Sequence, residues 1–253
     1  KGCITESDEE YLKSLIRDSP NENNNKLYQN GDTCIIGTTN RKINEINLDK
    51  VNFLLPEAKS MSKDANDRCT NLPSSQAPPP PDSLSCSQRS GIPKNIFLKI
   101  GAPVIITMND PKYKEDGIVN GARAYVDSFQ YASGSTKEVE YVWLVFKDKN
   151  IGKRLRQDSR HLLKNFRPQN PLAVPIKKLK ARFDIKDGNV KYEGLNFPLM
   201  LGYAVTAHRS QGDDLDEVTI DYRKDSTGKK PFICEGSFYV AIIARKGQDV
   251  YLK

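Results

Sequence analysis

The periodicity of this sequence changes twice along the chain, and that double change limits the folds open to it. Residues 1–55 carry an α/β pattern. Thr33-Cys34-Ile35-Ile36-Gly37 has the length of a buried strand; Thr38, Thr39 and Asn40 follow, and then Ile43, Ile46, Asn47 and Val51 recur at helical spacing. Short hydroxyl and amide side chains cap helix starts, so a strand passing through them into a helix is half of a parallel-sheet unit. An acidic stretch, residues 6–17, also reads as helical. From Ile96 to Ile176 the signal is β alone, with strand-like runs at 104–108, 121–126 and 141–146 separated by turn chemistry. Several short strands in about eighty residues predict a small barrel. Beyond Arg182 the α/β pattern returns, with a strand expected at 218–222, a short helix at 238–245 and a closing strand at 250–252.

The expected class is therefore α/β, a parallel-sheet domain interrupted by a small β-barrel. Residues 1–55 form its first part, 94–176 the inserted barrel and 177–253 its remainder. Between them, residues 56–93 are rich in Lys, Ser and Asn and contain Pro78-Pro79-Pro80-Pro81. Such a composition buries too little apolar surface to offset its ordering entropy, so a flexible loop is expected there.

The formal charge is +7, unevenly spread. From Lys153 to Arg182 ten Lys or Arg stand against one acid, Asp158, so this stretch alone carries +9. Such an excess suits a polyanion, whose counterions are released on binding; a solvated surface is the plainer alternative. Five cysteines without a CxxC pair match neither a disulfide framework nor a zinc site. They read as reduced thiols of a nuclear protein, or of a mitochondrial or cytoplasmic one. His161 has no second ligand nearby, so no metal is expected. No apolar run reaches membrane-spanning length, and the first residues lack the order of a signal peptide. A chain of this length buries a core without oligomerising, and a monomer is expected.

Chemistry concentrates late in the chain. The apolar run 197–207 passes into His208-Arg209-Ser210-Gln211-Gly212. Gly212 sits where a helix end would place a left-handed residue, which would put 208–211 on a last helical turn with Thr206, Arg209 and Ser210 near one face. Hydroxyls, an imidazole and a guanidinium gathered there would grip phosphates without reading bases. The plain alternative is a capped core helix with a polar end.

Ala204-Val205-Thr206-Ala207-His208-Arg209-Ser210-Gln211-Gly212 resembles motif V of superfamily-one DNA helicases of the RecD and Pif type (petite integration frequency), A-x-T-x-H-K-S-Q-G, with Arg209 in place of Lys. Residues 98–106 with Val119-Asn120-Gly121 resemble the opening of that family's inserted barrel, of the Src-homology-three type. Tyr192-Glu193 and Phe197-Pro198-Leu199 look like its return to the motor domain. The resemblance implies a second RecA-like motor domain, in which Thr206, His208 and Ser210, beside Arg209, contact single-stranded DNA. It also implies that Gln211 and Gly212 couple this grip to ATP, with Asp214 near the ribose. Thr39 and Asn40 would touch DNA backbone, or merely cap the next helix. Lys153 and Arg154 would line a nucleic-acid channel, or form a solvated face.

Tyr239-Val240-Ala241-Ile242 resembles motif VI, whose arginine follows the tyrosine by five and acts as a finger on the γ-phosphate. That position is Ala244 here. Arg245 lies one residue later, turned by about 100° on a helix; it is the expected finger, with a surface charge beside Lys246 as the alternative.

No G-x-x-x-x-G-K-[ST] loop occurs in the sequence. ATP and Mg2+ would therefore be held with a missing N-terminal RecA-like domain of the same protein, and this chain alone is expected to bind neither and to hydrolyse no ATP. Full-length relatives are ATP-dependent helicases of genome maintenance (repair and recombination) or of rolling-circle transposons, moving 5′ to 3′. A non-catalytic single-strand-binding module and an RNA helicase fragment remain the other readings. Trp143 is expected in the core rather than stacking a base, and Asn120-Gly121 in a tight turn.

Overall fold

The computed structural model describes residues 33–37, 39–73, 75–185, 190–206, 209–210, 217–220 and 250–252. Its first elements are β1 (Thr33–Gly37), α1 (Asn40–Leu54), β2 (Ser60–Asp64), β3 (Asn66–Cys69), β4 (Asn95–Lys99), β5 (Pro103–Ile106) and α2 (Pro111–Lys114). Then come β6 (Arg123–Tyr131), β7 (Val139–Phe146), α3 (Lys153–Asp158), a 3-10 turn (Arg160–Lys164), β8 (Val174–Lys177), β9 (Leu179–Asp184) and β10 (Lys191–Asn196). Four short strands follow, β11 (Leu199–Leu201), β12 (Ala204–Thr206), β13 (Glu217–Ile220) and β14 (Val250–Leu252). The helical stretches expected at 6–17 and 238–245 lie outside the described residues.

These elements fall into two compact units, one built from the chain up to Leu54 and again from Gly202, the other from Leu55–Leu201. In the first, the order β12-β1-β13-β14 is parallel at every pairing. Ile43, Ile46, Asn47 and Val51, the positions picked out by helical spacing, are the buried face of α1. Ile43 and Ile46 pack with Ile35 and Ala204. Gly37 ends β1 where a Cβ would lie 2.8 Å from Ile43 Cδ1, so a larger residue there would require the Ile43 side chain to shift.

The second unit carries the β signal. Its main sheet has the order β11-β5-β6-β7-β8 and is antiparallel throughout. Its end strands β11 and β8 do not pair with each other among the described residues, and the unit's remaining strands form the sheets β3-β10-β9 and β2-β4. Trp143, 2 % exposed, stacks on Phe166 at 5.7 Å and donates Nε1 to Gln130 Oε1 at 2.9 Å. It is a core residue, because that rotamer satisfies its one polar atom internally. Asn120-Gly121 turns with Gly121 at φ 94°.

Two expected boundaries move. The 56–93 stretch holds β2 and β3 and is anchored by polar contacts. Tyr192 Oη donates to Pro78 O at 2.7 Å, Asn196 Nδ2 donates to Pro93 O at 3.1 Å, and Arg89 is fully buried against Asp67. The first two contacts come from residues more than a hundred positions away and the third from 22 positions away, which a composition-based reading cannot see. The return to the parallel sheet comes at Gly202 rather than 177. β9 and β10 pair with each other and with β3, and β11 pairs with β5, so Tyr192-Glu193 and Phe197-Pro198-Leu199 belong to the second unit.

Candidate nucleic-acid interface

β1 and β12 run parallel with Gly37 opposite Thr206, so the chain leaves both strands at one edge of the sheet. Ligands of open α/β sheets bind beyond the carboxyl ends of the strands, where strand order reverses, and among the described strands the order reverses at β1. Thr39 is exposed there. Its Oγ1 accepts from Lys42 N at 3.2 Å and its carbonyl from Ile43 N at 3.0 Å, the bonds of an N-cap. Asn40, also exposed, opens the first turn of α1, whose dipole favours an anion.

From the neighbouring strand, Arg209 N and Ser210 N both donate to Thr206 O, at 2.9 and 3.2 Å. Thr206, Arg209 and Ser210 are thus gathered as expected, but by a turn leaving a strand rather than by the end of a helix. The strand prevails because its backbone groups have a partner: Ile35 N donates to Tyr203 O at 2.9 Å and α1 packs over the result. Thr206 and Arg209 are half-buried, whereas Ser210 is completely buried. A buried hydroxyl meets no strand in solution, so in this conformation Ser210 holds the turn rather than touching DNA. His208, Gln211, Gly212, Asp214 and Arg245 lie outside the described residues.

Asn47, which helical spacing places on the buried face of α1, also sets this edge. Asn47 Nδ2 donates to Ala204 O at 3.0 Å, and Ala204 N donates to Asn47 Oδ1 at 2.9 Å. Because Tyr203 faces β1, the groups of Ala204 point to the outer side of β12, and the amide of Asn47 seals them. The signal was present in the sequence: a polar Asn stands on the apolar stripe of α1.

Lys153 and Arg154 belong to the second unit, at the start of α3. Asp116 caps that turn, accepting from Arg154 N at 3.0 Å and Leu155 N at 2.7 Å. The Arg154 side chain pairs with Glu115 at 2.7 Å at an exposed site, a contact of small energy. Both acids, with Arg154, line a cleft of about 330 Å³. Much of the +9 stretch is similarly engaged. Arg156 donates to the carbonyls of Ile151 and Lys149, and Lys180 and Arg182 reach Glu193. Lys178 and then Lys63 hydrogen-bond Glu138 and hold its carboxyl below the usual range. Lys153, Arg160, Lys164 and Arg167 are exposed, with no acidic partner among the described residues. His161 Nδ1 lies 3.0 Å from Asp158 O, a local backbone contact.

Capping and phosphate contact by Thr39 are separable. Thr39→Ala should lose about 1 kcal/mol of stability with the cap. Thr39→Asp keeps the cap but adds a negative charge, so thermal unfolding should barely change while affinity for a single-stranded oligonucleotide falls about fivefold, the effect of roughly 1 kcal/mol between close charges in water. Equal affinity in Thr39→Asp and the parent chain would reduce Thr39 to a cap.

No protein-family model matches this chain, and no curated protein matches it in sequence. Solved structures do match in fold. The Pif1 helicase from Candida albicans superposes with a TM-score of 0.61 at 17% identity, covering 98% of this chain and 49% of that one. Bacteroides Pif1 bound to ssDNA gives 0.55 at 19% identity over 98% and 45%. Pif1 helicase from Bacteroides in complex with ADP-AlF3 and ssDNA gives 0.57 at 18% identity over 99% and 46%. This chain therefore shares its fold with a part of Pif1 helicases and spans about half the length of these structures. The likeness is to the Pif type, and nothing in it singles out RecD-type enzymes.

Proposed function

We propose that this chain is the second, RecA-like motor domain of an ATP-dependent DNA helicase of the Pif type, its Leu55–Leu201 unit being the insertion of the Src-homology-three type. The parent moves on single-stranded DNA in the 5′-to-3′ direction. The observation that carries this reading is the register of β1 with β12, which sets Thr39 and Asn40 beside the turn from Thr206 to Ser210 at one sheet edge, within the nine-residue pattern that resembles motif V. The fold likeness to Pif1 helicases supports it.

At that edge Thr206 and Arg209 grip backbone phosphates beside the amide-rich start of α1, and the contact ignores base identity because every donor addresses phosphate. Asn47 keeps the gripping strand in place. ATP and Mg2+ would be held together with the N-terminal RecA-like domain of the same protein, and would supply the drive for closure of the two domains. Gln211, Gly212 and Asp214 connect the grip to the nucleotide, and Arg245 is its finger.

Binding tests this reading directly. The chain should bind a single-stranded DNA oligonucleotide with an affinity that falls steeply with salt, and Arg209→Ala should weaken binding about tenfold, as loss of one charge-assisted hydrogen bond does. A flat salt response with unchanged affinity in Arg209→Ala would remove the grip. Alone, the chain should show no DNA-stimulated ATP hydrolysis. Matched DNA and RNA oligomers decide the track. Ala244 at the finger's usual position favours a second reading, a binding module without catalysis. It stands if the parent protein, with its N-terminal domain, hydrolyses no ATP in the presence of single-stranded DNA.

A further inference from the structure

The three-stranded sheet β3-β10-β9 has two unlike faces. On one, Phe183 and Tyr192 stack at 5.6 Å beneath Arg89, whose guanidinium lies 4.6 Å from the Phe183 ring. The other is charged. Glu193 stands in register between Arg68 of β3 and Arg182 of β9, and three cations converge on its carboxylate. Arg68 and Lys180 approach Oε1 at 3.3 Å each, and Arg182 approaches Oε2 at 3.8 Å. The carboxylate is 15% exposed, whereas the cations are 72, 63 and 85% exposed for Arg68, Lys180 and Arg182. One acid under three outward cations leaves a net +2 on this face. Lys191 and Asp184, paired in register, add nothing net.

We propose that this face docks the phosphate backbone of double-stranded nucleic acid. This assignment rests on the proposed helicase reading and adds to it a duplex-binding surface apart from the single-strand grip. Three cations on β3 and β9, the two strands that flank β10 and so lie about 10 Å apart, are held by a shared carboxylate and preorganised for a row of phosphates. Single-strand surfaces commonly add stacking of bases on aromatic side chains to their backbone contacts. Here both aromatic rings of the sheet, Phe183 and Tyr192, are buried on the opposite face, so only backbone contact is available. Charge complementarity without stacking fits a duplex, whose bases are already stacked, better than a single strand.

The test uses the full 253-residue chain, a fluorescent blunt DNA duplex and a single-stranded oligonucleotide. Arg68→Ala, Lys180→Ala and Arg182→Ala are combined, at exposed positions where the fold should survive, as thermal unfolding checks. The triple variant should bind duplex at least tenfold more weakly, and the slope of log K against log salt should lose about 2.7 in magnitude for three phosphate contacts. Single-strand affinity should stay within about twofold, a change under 0.5 kcal/mol. Unchanged duplex affinity and slope in the folded variant overturns the proposal while leaving the helicase reading in place. Absence of single-strand binding by the parent chain would instead strike that reading. Displacement of the duplex by polyglutamate at matched charge would make this a general polyanion surface and end the assignment to nucleic acid.

Discussion

Arg89→Ala should destabilise the Leu55–Leu201 unit by about 3–5 kcal/mol, the range for removing one partner of a buried ion pair. Arg89 is completely buried, and its Nη2 lies 2.5 Å from Asp67 Oδ1, itself only 11% exposed. Its Nε donates to Ile92 O at 3.1 Å. Truncation leaves a buried carboxylate without its cation, a carbonyl without its donor and the Phe183 face without its guanidinium. The pocket cannot collapse easily, since even a Cβ on Gly194 would come within 2.8 Å of Asp67 Oδ1. Urea unfolding should show a lower midpoint with little change in slope. The double variant Arg89→Met with Asp67→Leu separates charge from shape. Arg89 Nη1 is buried without a hydrogen-bond partner, so the native pair already carries a desolvation cost, and an apolar pair should recover most of the loss. A double variant no more stable than Arg89→Ala would show that the guanidinium is needed for packing rather than for charge balance.

Asn47→Ala should cost about 2–4 kcal/mol, because it strands both the N–H and the C=O of Ala204, each worth roughly 1–3 kcal/mol when buried without a partner. Asn47 itself is 3% exposed and Ala204 is fully buried, so water does not readily replace the amide. The consequence extends to function. β12 is three residues long and ends at Thr206, and on its outer side the N–H and C=O of Ala204 both bond this side chain. Freed, the strand end carrying Thr206 and Arg209 should wander, and single-strand affinity should fall with stability even though Asn47 touches no ligand. Asn47→Leu preserves volume and tests whether packing alone suffices. Stability and binding both near the parent values in Asn47→Leu would show that the two hydrogen bonds do not set the edge.

Both substitutions act on contacts between residues distant in sequence, and that is where reading the chain alone stopped. The sequence by itself determined what local physics decides. The apolar run at 33–37 is β1, the capping residues and helical spacing after it are α1 with the expected buried face, and the runs near 104, 123 and 141 are antiparallel strands. It also supplied the nine-residue pattern, within which backbone bonds join Thr206 to Arg209 and Ser210. Tertiary structure decided the rest. Residues 199–201 and 204–206 are strands because β5 and β1 offer them backbone partners. The unit boundary falls at Gly202, not 177, because β9 and β10 find β3 inside a stretch whose composition suggested a loop. Much of the basic stretch is tied to Glu115, Glu138 and Glu193, acids that lie outside it. Periodicity and capping depend on neighbours within a few residues, whereas these choices depend on which groups, up to 157 positions apart, satisfy one another's hydrogen bonds and charges.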